Sequence, residues 1–323
     1  MTRWPEGATT DPPDSSEPTA LLTLEVPSDD VVGWIAESRG ELDRHLLTSR
    51  AVLMRGIGDL DAGLLQDIVA AADSERLEYV DRSTPRAELA DKVYESTSFP
   101  ADQEIVLHNE GTYWLQWPLR IWFGCVTPAE RGGDTPIADT REVMARIPAE
   151  IVDKARRLGV RYVRNYNAGF GLSWEETFQT SDRAAVESYC SENGIDLEWL
   201  GDDRLRTVQH RPAIRTHPVT GDELWFNHAA FFNIHRRDED TREALLEVFA
   251  EDELPFNTYY GDGSPFSAEE IASIASAYAA VSRSVAWQAG DLLLLDNMTV
   301  AHGRHPYEGE RRIVVAMSDP CAS

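Results

Sequence analysis

Basic residues, cysteines and long apolar runs are all scarce in this 323-residue chain. Thirty Lys and Arg stand against 56 Asp and Glu, leaving a formal net charge of −26 and a pI near 4.6. A surface of that sign repels phosphate backbones and anionic leaflets, so no nucleic-acid partner and no membrane partner is expected. Three cysteines, Cys125, Cys190 and Cys321, form an odd set with no C-x-x-C. That excludes a disulfide framework and suits a reducing cytoplasm, with Cys125 and Cys190 as buried thiols. No segment approaches the roughly 20 apolar residues that a spanning helix needs. The opening MTRWPEGATTDPPDSSEPT lacks the apolar core of a signal peptide, and a cytoplasmic location is the expectation. Absent too, in any strand-to-helix context, are G-x-S-x-G, P-loop and dinucleotide glycine patterns.

The length allows a substantial core, and the pattern reads as α+β, mainly β. Residues 1–18, rich in Pro, Ser, Thr, Asp and Glu, bury too little apolar surface to offset ordering entropy and are expected to be a disordered tail. Residues 19–323 read as a single catalytic domain with a helical insertion at about 140–200. Within it, Val31 to Leu47 and the segment after Asp61 show helical spacing, and Ala51 to Met54 reads as a strand. Asp81 to Phe99 turns polar and reads as a loop, with Ser96 among its hydroxyls, either folded over a substrate or an ordinary surface loop. Trp174 to Gly194 reads as helical, and Ser267 with Glu270 forms a capping box.

Chemistry enters at His108-Asn109-Glu110. An H-x-E triplet lets an imidazole and a carboxylate reach a common point from a strand end. Two histidines and one carboxylate leave three positions open on a ferrous ion, which suits an oxygenase. The same donors also suit zinc in a hydrolase. The candidate for the second histidine is His302, just past the run Gly290-Asp-Leu-Leu-Leu-Leu-Asp-Asn297, which reads as a buried strand ending in a turn. Arg312 heads the apolar run Ile313 to Met317, from which a guanidinium could enter the same cavity and clamp a carboxylate. Of the remaining histidines, His228 is the one expected near a pocket.

The ordered set HNEGTYWLQWP, GGDTPIADTREV, WFN and DNMTVAHGR…RR resembles the Fe(II)/2-oxoglutarate dioxygenases of the TauD/TfdA superfamily, in its SyrP-like and clavaminate-synthase-like branch. The resemblance runs from about Ala51 to Met317. It implies a distorted jelly roll, the double-stranded β-helix, with helical insertions. It also implies iron on His108, Glu110 and His302, with 2-oxoglutarate and O2 as cosubstrates. Thr135 and Arg312 would hold the far carboxylate of 2-oxoglutarate, with Arg311 the competing clamp. On the substrate side the resemblance and the residue types put forward Asn227, His228, Ser96 and Arg164, and Arg215 is a further possible carboxylate anchor. Relatives of this kind act on amino acids, free or tethered to carrier proteins, in natural-product pathways. The implied reaction is therefore hydroxylation of an unactivated carbon, the β-carbon of an amino acid by preference. An intact Glu110 argues against halogenation. A desaturase or cyclase and a non-catalytic cupin-like binding or regulatory protein are the competing outcomes. The acidic surface tips the substrate toward a free small molecule over a carrier-bound one.

Overall fold

The structure, a computed structural model, describes residues 9–11, 19–26, 30–77, 81, 88–96, 99–166, 171–201 and 203–322. The four-leucine run forms the strand Leu292–Asp296, buried at every position. It lies antiparallel between Ala51–Arg55 and Gln116–Thr127 near the middle of an eight-stranded sheet. Alternation explains why the run is apolar throughout, because successive side chains meet different layers. Leu292 and Leu294 pack with Trp34, Ile35, Leu65 and Ile68 of the helices Val31–Ser49 and Ala62–Ala71. Leu293 and Leu295 instead join Phe123, Ile137 and Ala301 in the interior. Leu294 is fully buried. Leu294→Ala is expected to cost about 2–5 kcal/mol, the usual range for a buried Leu truncated to Ala. A lowered midpoint in denaturant unfolding would show it.

A second, four-stranded sheet runs Arg283–Val285, Thr135–Asp139, Val300–Arg304, Ile105–His108. Ile137, Val300 and Ala301 of this sheet share one apolar cluster with Leu293, Val315 and Met317 of the large sheet. The core between these sheets is what positions the site.

The insertion is not simply helical. A four-stranded sheet ordered Ile195–Leu200, Arg204–Arg211, Val160–Tyr166, Phe256–Tyr260 forms its floor, and Trp174–Phe178 and Arg183–Glu192 pack on it. The expected helix from Trp174 to Gly194 is broken at Gln179, which adopts a left-handed φ of 56°, and restarts at the Asp182 cap. Two further expectations need correction. Thr9–Asp11, placed in a disordered tail, pairs antiparallel with Leu22–Glu25 as an edge strand, while residues 1–8 and 12–18 lie outside the described residues. Between residues 81 and 99, expected to be a loop, Glu88–Ala90 and Val93–Glu95 form a hairpin that adds to the large sheet through Arg312–Ala322. Residues 82–87 and 97–98 of that stretch lie outside the described residues.

Candidate metal centre

His302 and His108 are direct cross-strand partners in the small sheet, with ring centroids 4.7 Å apart. Two positions further along, Arg304 pairs with Ile105, so two steps on one strand oppose three on the other. The extra residue is a β-bulge at Val106 and Leu107, a device that re-aims side chains. Ile105 and His108 consequently line the same inner cavity, while Val106 and Leu107 line a separate one. His108 Nδ1 lies 2.9 Å from the Val106 carbonyl. A carbonyl can only accept, so Nδ1 carries the proton and Nε2 keeps the lone pair that a metal requires.

Glu110 follows in a tight turn and is buried. Asn297 fixes that turn. Its Oδ1 accepts from the Glu110 N–H at 2.8 Å, and its Nδ2 donates to the carbonyls of Glu110 and Pro118 at 2.9 and 2.8 Å. Asn109 Nδ2 donates back to the Asn297 carbonyl at 2.6 Å. Gly111 is required on two counts: its φ is +68°, and a Cβ there would sit 2.4 Å from the Trp114 ring. On the other side, Asp296 accepts from the N–H groups of Met298 and Thr299 at 3.0 Å each and pairs with buried His217 at 2.9 Å. These bonds set the turn that launches the His302 strand. The ligand atoms of His108, Glu110 and His302 then lie within 4.8 Å of one another, a set that fits a single ion.

A cavity of about 30 Å³ adjoins the two histidines, bordered also by Thr135, Arg311, Arg304 and Ser96. Thr135 Oγ1 accepts from Trp287 Nε1 at 3.0 Å, so its own hydrogen can be donated elsewhere. Arg311 donates from Nε to the Gly133 carbonyl at 3.0 Å. Burial, and then the charge of Arg304, pushes its pKa down to about 10, so it stays cationic at neutral pH.

Arg312, put forward from the sequence as the clamp, is exposed and does not border this cavity. Arg311 borders it instead. The reason is strand phase: Ile313, Val315 and Met317 pack into the interior, so Arg311 falls on their side, whereas Val314 and Ala316 pack toward the outer helices. Ser96, placed on the substrate side from the sequence, borders the cavity beside Arg311.

The other substrate candidates are held by protein groups. Asn227 spends its amide on backbone, donating to the Ala213 carbonyl at 2.8 Å and accepting from the Ala229 N–H at 2.9 Å. It borders the cavity of about 260 Å³ behind Val106 and Leu107. Arg164 forms a buried ion pair with Asp81 at 2.6 Å. His228 is buried, with its ring 5.7 Å from that of His108 and stacked on Phe232 at 4.9 Å. Its Nδ1 is hydrogen-bonded to Thr112. Burial, then His108 and Arg164, holds its pKa well below the ordinary histidine value, so it is neutral. Arg215 lies buried over the Trp117 ring at 4.2 Å and does not border the cavity of Arg311 and Thr135. The braces Asn297, Asp296 and His217 were not found from sequence, where Asp296-Asn297 reads only as a turn.

A family model described as taurine catabolism dioxygenase TauD, TfdA family matches residues 15–317. The dapdiamide synthesis protein DdaC of Enterobacter agglomerans is 41% identical over 283 residues, covering 88% of this chain and 86% of that protein. A clavaminate synthase-like protein of Arabidopsis thaliana is 29% identical over 325 residues, covering 97% and 93%. Among solved structures, PvcB of Pseudomonas aeruginosa aligns with a TM-score of 0.55 at 17% identity, over 98% of this chain and 94% of that one. Another structure of PvcB, at TM-score 0.54 and 16% identity, describes it as an Fe, alpha-ketoglutarate dependent oxygenase from an isonitrile synthetic pathway. At such identities these two likenesses speak for the fold.

Proposed function

The chain belongs to the TauD, TfdA dioxygenase family, and from that premise we propose an Fe(II)- and 2-oxoglutarate-dependent hydroxylase of an amino acid or amino-acid derivative in natural-product biosynthesis. The observation that carries this reading is a two-histidine, one-carboxylate cluster whose two histidines border a cavity that a guanidinium and a threonine hydroxyl also border. The two sheets packed around one core suit the distorted jelly roll that the resemblance implies.

His108, Glu110 and His302 would hold iron, which supplies the redox chemistry with dioxygen. Arg311 and Thr135 would hold the far carboxylate of 2-oxoglutarate by charge-assisted hydrogen bonds. Phe123, with its ring centroid 5.0 Å from that of His302, and Phe231, 4.6 Å from that of His108, keep the ligand histidines in apolar surroundings. This limits water at the reacting centre. Neutral His228 adds no charge beside His108. Glu110 supplies the carboxylate that favours hydroxylation over halogenation. The relatives' names point to small-molecule biosynthesis, and the net charge of −26 favours a free substrate over one tethered to an acidic carrier.

The test is incubation with Fe(II), ascorbate, 2-oxoglutarate and a panel of amino acids, reading products by mass. A substrate-dependent loss of 2-oxoglutarate coupled to gain of one oxygen supports the reading. Loss of two hydrogens identifies a desaturase or cyclase, and uncoupled or absent consumption across the panel argues for a binding protein.

A further inference from the structure

Two guanidiniums border the cavity beside the ligand histidines, and no carboxylate side chain among the described residues does. The second is Arg304. It stands two positions beyond His302 in Val300–Arg304, and a two-residue step returns a side chain to the same face of a strand about 7 Å along. That offset approximates the span of a five-carbon dicarboxylate. Arg304 is 5% exposed. Its Nη1 donates to the Phe99 carbonyl at 3.0 Å, and its Nη2 to those of Pro100 and Gln103 at 2.5 and 2.8 Å. Among the described residues its Nε is buried with no hydrogen-bond partner. Carbonyl dipoles orient the guanidinium but bring no negative charge, and a buried cation without an anion is costly.

We propose that Arg304 is a second anchor for the far carboxylate of the 2-oxo acid. It sets the site's preference for a dicarboxylate over a monocarboxylate of equal length. The proposal rests on the function proposed above and deepens it. Thr135 and Arg304 would reach the carboxylate from adjacent strands of the small sheet, and Arg311 from the residue before the large-sheet strand Arg312–Ala322. The same guanidinium holds the segment Phe99 to Gln103, which leads into the ligand strand Ile105–His108. Cosubstrate and ligand strand thus share one support.

The test measures binding of 2-oxoglutarate and of 2-oxopentanoate, which has a methyl group where 2-oxoglutarate has its far carboxylate, to the anaerobic Fe(II)-loaded protein by calorimetry. In Arg304→Gln, affinity for 2-oxoglutarate should fall by about ten- to hundredfold, the usual scale for a hydrogen bond to a charged group. Affinity for 2-oxopentanoate should stay within about twofold on the same argument, and Arg304→Lys should recover part of the selectivity. Equal losses for both acids would make Arg304 a loop brace only, and unchanged selectivity in both variants would also overturn the proposal. Failure of the unaltered protein to bind 2-oxoglutarate with Fe(II) would instead defeat the functional reading on which the proposal rests.

Discussion

Glu110→Ala is expected to abolish substrate-coupled loss of 2-oxoglutarate while leaving the protein folded. The carboxylate is the one anionic donor in the cluster of His108, Glu110 and His302, whose ligand atoms lie within 4.8 Å of one another. Without it two neutral imidazoles remain, and they neither offset the charge of a divalent ion nor complete the facial set. The backbone of the turn should survive, because Asn297 holds the N–H and carbonyl of residue 110 and not its side chain. Circular dichroism and the unfolding midpoint should therefore change little. Asn297→Ala supplies the contrast. It leaves all three ligands in place but frees the turn, so metal affinity should drop about 10- to 100-fold, as for other outer partners of metal ligands. If Glu110→Ala retains substantial turnover, the assignment of the ligand set is wrong.

Arg311→Ala should raise the 2-oxoglutarate concentration needed for half-maximal turnover by about two orders of magnitude, the scale of losing one partner of a buried charge pair. Arg312→Ala should change it by less than about twofold, since surface substitutions away from such contacts are close to neutral. The difference follows from placement: Arg311 borders the cavity with Thr135, and Arg312 is exposed. Steady-state kinetics with 2-oxoglutarate as the varied substrate decide the matter. A larger effect at Arg312 would contradict the strand phase described here.

That phase marks where the sequence stops being legible. The candidate metal cluster could be read directly, because ligation demands particular residue types and a short H-x-E spacing, and the buried leucine strand pointed to His302. Choosing between Arg311 and Arg312 required knowing which face of Ile313 to Met317 looks inward. Both faces are apolar, since Ile313, Val315 and Met317 meet the interior while Val314 and Ala316 meet the helical layer. Alternating hydrophobicity, the signal that would have set the phase, is therefore missing.

The braces were hidden for a different reason. Asn297 and Glu110 lie 187 residues apart, and His217 and Asp296 lie 79 apart. Nothing local marks such partners. The bulge at Val106 and Leu107 is likewise a property of strand pairing, as is the insertion sheet, in which Val160–Tyr166 pairs with Phe256–Tyr260 across a long intervening segment. Local spacing in the insertion marked helical character from Trp174 to Gly194, whereas the order in which the strands of its sheet pair is set by contacts distant in sequence.

The most direct test of the central claim is an anaerobic optical titration of the metal-free protein with Fe(II), then 2-oxoglutarate, then candidate amino acids. The account predicts a visible charge-transfer band that needs both iron and 2-oxoglutarate, is lost in Glu110→Ala, and shifts when the true substrate is added. Folded protein that binds iron yet gives no band on addition of 2-oxoglutarate would contradict it. So would turnover that proceeds with zinc and without dioxygen.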